Sequence, residues 1–121
     1  MQRTHRGEPI GKKFPSIQLL LGEMEAQVLG ARAFMRSVAA MVDGGHAIPK
    51  EAAATRIVAA RAAREITSAA LQVCGAYGLT HELPVERLYR EAKFFEVAQG
   101  VVEIQKVIVA RHVLGAVSGN V

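Results

Sequence analysis

Between Phe94 and Gln105 the chain reads FFEVAQGVVEIQ. Two carboxylates, Glu96 and Glu103, flank the pair Gln99-Gly100, three residues before Gln99 and four after it. A general base needs a group that accepts a proton near neutral pH, within hydrogen-bond reach of the proton it removes. A carboxylate qualifies. The Gln99 amide has no ionisable state in the working range and offers only hydrogen bonds. Elsewhere the candidates are weaker. His5, His46, His81 and His112 are scattered, with no pair at a metal-ligand spacing such as H-x-x-x-H, so no metal site is expected. Cys74 has no His or Asp beside it in sequence and reads as a small packed apolar group. Ser16, Ser37, Ser68 and Ser118 sit in no nucleophile-elbow context.

A length of 121 residues bounds the chain to one domain with a single modest core. Half of the residues are apolar but only 5% are aromatic, with alanine abundant, which favours helices over a sandwich or barrel. The lone cysteine excludes an internal disulfide and fits a reducing cytoplasm. No apolar run follows the opening MQRTHRGEP, so no signal peptide is expected, and none approaches the length of a membrane span. The net charge of +4 permits anionic partners. Its one cluster is N-terminal (Arg3, His5, Arg6, Lys12, Lys13) and reads as a solvated tail. Nucleic-acid binding has only charge behind it, since no aromatic residues interleave with the basic ones.

Residues 1 to 13 carry Gly7, Pro9 and Gly11 among charges and read as an extended basic lead-in, and residues 14 to 121 as one helical domain. From Ile17, apolar residues at Leu20, Leu21, Met24, Val28, Ala31, Met35, Val38 and Val42 step by three and four, the spacing of a helix with one buried stripe. Asp43-Gly44-Gly45 supplies its glycine C-cap. Pro49 suits the first turn of a second helix, whose face of Ala53, Ile57, Ala60, Ala63, Ile66, Ala70 and Val73 lets a neighbour approach closely. Gly75 and Gly78 bracket its end. Pro84 opens a short third helix, with Val85, Leu88, Ala92 and Phe95 on one side. After the break at Gly100, a fourth helix carries Val101, Ile104, Val107, Ile108 and Leu114. No strand candidate has any strength. The expected fold is all-α, an antiparallel helical bundle.

Four stretches, in order from Arg3 to Gly115, resemble the C-terminal helical domain of acyl-CoA dehydrogenases. Arg3 to Gln18 resembles R-x-x-F-G-x-P-I-x-x-F-Q-x-I-Q, with Arg6 where Phe is usual and Lys12-Lys13 adding one residue. Gln72 to Gly78 resembles Q-x-x-G-G-x-G with Ala76 in place of a glycine, although on spacing alone it is a plain glycine C-cap. Leu83 to Lys93, LPVERLYREAK, is very close to Y-P-V-E-R-L-Y-R-D-A-R, the most specific match, to which no chemistry is assigned. Phe94 to Gln105 resembles I-Y-E-G-T-x-E/Q-I-Q. There Val97 takes the place of Ile, Ala98 of Tyr, Gln99 of the catalytic Glu, Gly100 of Gly and Val101 of Thr.

The resemblance implies FAD-dependent oxidation of acyl-CoA thioesters, in which a carboxylate removes the α-proton while FAD takes hydride from the β-carbon. Arg3, Gln72, Gly75 and Gly78 then match positions that approach the FAD of a neighbouring subunit, and Glu103 a further cofactor position. Gln99 and Gly100 match the main chain that holds the thioester carbonyl. Because Gln99 occupies the base position, no catalytic residue is assigned and the isolated chain is expected to be inactive. Glu96 and Glu103 each have a common counterpart in the family pattern, so neither reads as a relocated base. The resemblance also implies that the family's N-terminal helical and middle β-domains are absent and that the first helix of the bundle is missing. FAD binding by the chain alone is therefore expected to be weak or absent, and an apolar groove to stand open. The implied partners are acyl-CoA and either a second copy of this chain or a longer homologous subunit. The alternative is a non-catalytic helical assembly module that pairs with itself or with a full-length homologue. Neither nucleic acid nor membrane is an expected partner, and the expected location is cytoplasmic.

Overall fold

The computed structural model describes residues 3–98 and 100–115. Prolines start its two long helices and glycines stop them. Helix α2 (Pro15–Asp43) has Pro15 in its first turn, where a missing N–H costs nothing. At its end the Gly45 N–H donates to Val42 O at 2.9 Å and the His46 N–H to Met41 O at 3.1 Å. Gly45 has φ +76°, so the helix closes with its own last carbonyls in a Schellman arrangement. Helix α3 (Pro49–Cys74) begins on Pro49 in the same way and stops at Gly75, φ +63°. A 3₁₀ turn over Gly75–Leu79 follows, then α4 (Val85–Val97) and α5 (Val102–Val113).

The lead-in differs from a solvated tail. Two-residue strands β1 (Thr4–His5) and β2 (Glu8–Pro9) pair antiparallel around Arg6-Gly7, and one turn of helix, α1 (Ile10–Lys13), follows. Both turn residues have positive φ, +52° at Arg6 and +82° at Gly7, as a two-residue type I′ hairpin requires. The turn carries Arg where Asn or Asp is the usual signal, which is why periodicity alone misses it. The Ile10 N–H donates to Arg3 O at 3.0 Å, and Lys13 Nζ lies 3.5 Å from Glu8 Oε2.

Helix α3 is the spine: α2, the 3₁₀ turn, α4 and α5 all pack on it. Ile17 and Leu21, at the start of α2, lie beside Val73 and Cys74 at the end of α3, so the two helices are antiparallel. The end of α4 reaches Arg56 of α3, while Val102 at the start of α5 lies beside Ile57 and Ala60. The core is thin. Its buried apolar side chains are Val38, Ala53, Ala60, Val85, Ala92 and Val102, and among the described residues no polar residue is buried with them. The alanines bring the helices close, as the face of the second helix leads one to expect.

Three apolar faces depart from expectation: on α2 only Val38 of the stripe is buried, while Leu21, Met35 and Val42 are exposed. On α5 the buried residue is Val102, whereas Val101, Ile104 and Val107 are 40%, 56% and 45% exposed. Helix α5 has apolar residues on every side, so spacing does not select which side turns inward; contact with α3 does. On α4, Val85 and Ala92 are buried but Leu88 and Phe95 of the same stripe are exposed. Phe95 instead borders an open groove of about 490 Å³ along α3, lined by Ala52, Thr55, Ala59 and Ala63.

Candidate functional site

The residues singled out from sequence gather in two places on α3, about 25 Å apart at 1.5 Å of rise per residue. One is its C-terminal end. There the hairpin brings Arg3 back across 70 positions of sequence, and its Nη1 donates to Val73 O at 2.7 Å. The guanidinium lies over Gly75 so closely that a Cβ on Gly75 would sit 2.8 Å from Arg3 Nη1. Bare backbone at positive φ and an exposed cation therefore share one surface, with exposed Gln72 a turn back on α3. Gly78 differs from these. It is buried, and a Cβ there would sit 2.7 Å from Cys74 Cβ, so packing of the 3₁₀ turn on α3 is reason enough for glycine at this position.

The second place is the turn between α4 and α5. Gln99 lies outside the described residues, and the residues around it define the turn. Ala98 leaves α4 in extended conformation, Gly100 has φ +93°, and Val101 starts α5, accepting the Ile104 N–H at 2.9 Å. A Cβ on Gly100 would stand 2.9 Å from Gln105 Nε2. Arg56 of α3 donates through Nε to Gly100 O at 3.2 Å and through Nη2 to Phe95 O at 3.3 Å and to Ala98 O. Nothing in the sequence marks Arg56. It reads as one more surface arginine on an alanine-rich helix.

Of the two nearby carboxylates, only Glu96 is closely held. Glu96 meets Lys93 Nζ at 2.6 Å and Arg64 Nε at 2.8 Å, and its side chain is 18% exposed. The Lys93 hydrogen bond, helped by the charges of Lys93 and Arg64, holds its carboxyl below the usual glutamate range despite partial desolvation. A carboxylate stabilised in its charged form is a weak proton acceptor. Glu103 projects from the first turn of α5, largely exposed, 3.8 Å from Lys106 Nζ. Arg61, Arg64, Lys93 and Lys106 line a shallow depression together with this pair, Val97 and Val102.

Further along α4, Arg87 and Glu91, four residues apart, form a pair at 3.5 Å. Glu86 is bound by Arg90 at 2.9 Å and by His81 at 3.0 Å, and those bonds, Arg90's first, lower its pKa. Tyr77 donates to Glu82, which raises the phenol's pKa. Among the described residues no group of three or more His, Cys, Asp or Glu could hold a metal ion, and no helix is long and apolar enough to cross a membrane.

Comparison with known proteins supplies the context for this geometry. The family model for the C-terminal domain of acyl-CoA dehydrogenase matches residues 1–114. The acryloyl-CoA reductase (NADH) of Anaerotignum propionicum is 37% identical over 113 residues, which are 93% of this chain and 28% of that protein. The mitochondrial short-chain specific acyl-CoA dehydrogenase of Bos taurus is 37% identical over 112 residues, 93% of this chain and 27% of that protein. Among solved structures, butyryl-CoA dehydrogenase from Megasphaera elsdenii superposes with a TM-score of 0.88 at 33% identity, covering 93% of this chain and 29% of that one. The chain thus spans under a third of the length of each.

Proposed function

This chain belongs to the acyl-CoA dehydrogenase family as its C-terminal domain, and from that membership we propose that it forms one wall of an FAD and acyl-CoA site while lacking dehydrogenase activity of its own. The observation that carries the second half is the state of the carboxylates at the α4–α5 turn. Gln99 occupies the family's base position. Glu96, the nearest acid on α4, is bridged by Lys93 and Arg64. Glu103 stands largely exposed, with Lys106 as its neighbour. At the turn, then, Glu96 is held by two cations, Glu103 makes only a long exposed contact, and position 99 supplies no carboxyl.

The residues present fit FAD at the C-terminal end of α3. Arg3 keeps donors beyond the one bound to Val73 O, in the fork that suits phosphate oxygens. Gly75 lets the Arg3 guanidinium lie directly on the main chain there. Arg3, Gln72 and Gly75 would hold the cofactor of a neighbouring subunit, and Gly78 would support them by packing the 3₁₀ turn. Glu103 and Gly100, some 25 Å away along α3, would face a different cofactor molecule. FAD, when bound, supplies the hydride acceptor. At the turn, Gly100 would let a thioester come close to the main chain, and the main-chain N–H of Gln99 would donate to its carbonyl.

The test is direct. Purified chain with added FAD, butyryl-CoA and an electron-accepting dye is expected to show no turnover, and Gln99→Glu in the isolated chain is expected to show none either. Turnover by the unmodified chain would overturn the assignment of Gln99.

A second reading, a helical assembly module, is favoured by exposed apolar surface. The chain exposes 8586 Å², against roughly 6,300 Å² for a compact monomer of its mass. Phe94, Phe95, Val97, Ile104 and Val113 are all more than half exposed. Under this reading light scattering finds a dimer or larger species, or a complex with a longer homologous subunit; a strict monomer at high concentration that ignores such a subunit would rule it out.

A further inference from the structure

We infer that Arg56 is a positioning residue, a guanidinium clamp that sets the main-chain direction of the α4–α5 turn from the middle of α3. The last carbonyls of any helix lack intrahelical donors and need partners. Helix α4 supplies one for itself, the Ala98 N–H to Phe94 O at 2.9 Å; its last turn has no basic residue, and its C-cap Ala98 is extended, so the carbonyls that follow need donors from elsewhere. Helix α5 starts on Val101, which has no side-chain cap to offer either. Arg56 bridges the gap from both sides, binding Phe95 O and Ala98 O before position 99 and Gly100 O after it. Among the described residues no other side chain hydrogen-bonds to these carbonyls, and Arg56 has no carboxylate partner competing for its donors.

Geometry makes this more than a cap. A peptide unit is planar and trans, so its carbonyl and its N–H point in opposite directions. Binding the carbonyls of Phe95, Ala98 and Gly100 to one guanidinium anchored on α3 therefore fixes how these peptide planes are turned. Arginine suits the task because one planar fork reaches several acceptors at once, where lysine presents a single point charge.

The test uses the isotope-labelled full chain without ligand. In the unmodified protein the Arg56 Nε–H should exchange with solvent several-fold more slowly than that of exposed Arg87, a spectroscopic signature that packing of the aliphatic stem would not produce. Arg56→Met keeps the stem and removes the donors. It should speed amide exchange across residues 98 to 102 by about tenfold while leaving α2 unchanged, and Arg56→Lys should restore part of that protection. Unchanged exchange at the turn in Arg56→Met, or an Arg56 Nε–H as labile as that of Arg87, overturns the assignment. So does uniform acceleration through all helices, which would make Arg56 a support of the whole fold. Because no acyl-CoA is used, failure of the acyl-CoA reading would leave this result standing, and the reverse also holds.

Discussion

The end of α2 and the end of α4 meet the same requirement in opposite ways. Both must find donors for their last carbonyls. Helix α2 does so within five residues, through Gly45 at positive φ and the main-chain N–H groups of Gly45 and His46. Helix α4 has no glycine at its cap and relies on Arg56, some forty positions earlier in the chain. A self-closing end is stable wherever the helix goes. An end closed by a distant side chain holds its shape only while α3 and α4 are docked, and so its geometry is tied to the packing of the domain.

The contrast can be broken first at Gly45. Gly45→Val places a β-branched residue at φ +76° and should cost about 2 kcal/mol in chemical denaturation, with no distant substitution able to restore it. The corresponding change at the other end is smaller, because something there can give. Gly100→Ala must keep φ +93° and displace only the flexible amide of Gln105, for a cost of about 1 kcal/mol. Combined with Arg56→Met, that cost should shrink by roughly 0.5 kcal/mol or more, since an unclamped turn can relax; combined with Gly45→Val the two should add. Additivity in both pairs would erase the distinction between the two ends.

Smaller effects sharpen it. Glu96 ties the last turn of α4 to Arg64 of α3, and its pKa is lowered, first by the Lys93 hydrogen bond. A lowered folded-state pKa means that the contribution is fully present above the unfolded value and is lost as pH falls through the folded one. The Glu96 side-chain resonance should therefore titrate with a midpoint below 4.5, and Lys93→Gln should move that midpoint upward. A midpoint at or above 4.5 would mean the tie is absent in solution. The smallest effect belongs to Arg87→Ala. Both members of the Arg87–Glu91 pair are more than half exposed, so stability should change by no more than about 0.5 kcal/mol.

Much of the architecture was legible from local chemistry. Pro15, Pro49 and Pro84, with Gly44-Gly45, Gly75 and Gly100, mark helix limits because each acts on its own dihedral or its own missing donor, without reference to any other part of the chain. The same holds for the family resemblance, carried by contiguous stretches, and for the absence of a carboxyl at position 99, which is a matter of residue identity. What only the tertiary structure decided are relations between distant positions: Arg3 over Gly75, Arg56 on the α4–α5 turn, Arg64 on Glu96, and Val102 rather than Ile104 facing α3. A side chain on an alanine-rich helix has the same local pattern whether it ends in water or on a carbonyl forty residues away. Its partner is chosen by how closely the helices pack, and that depends on every contact at once.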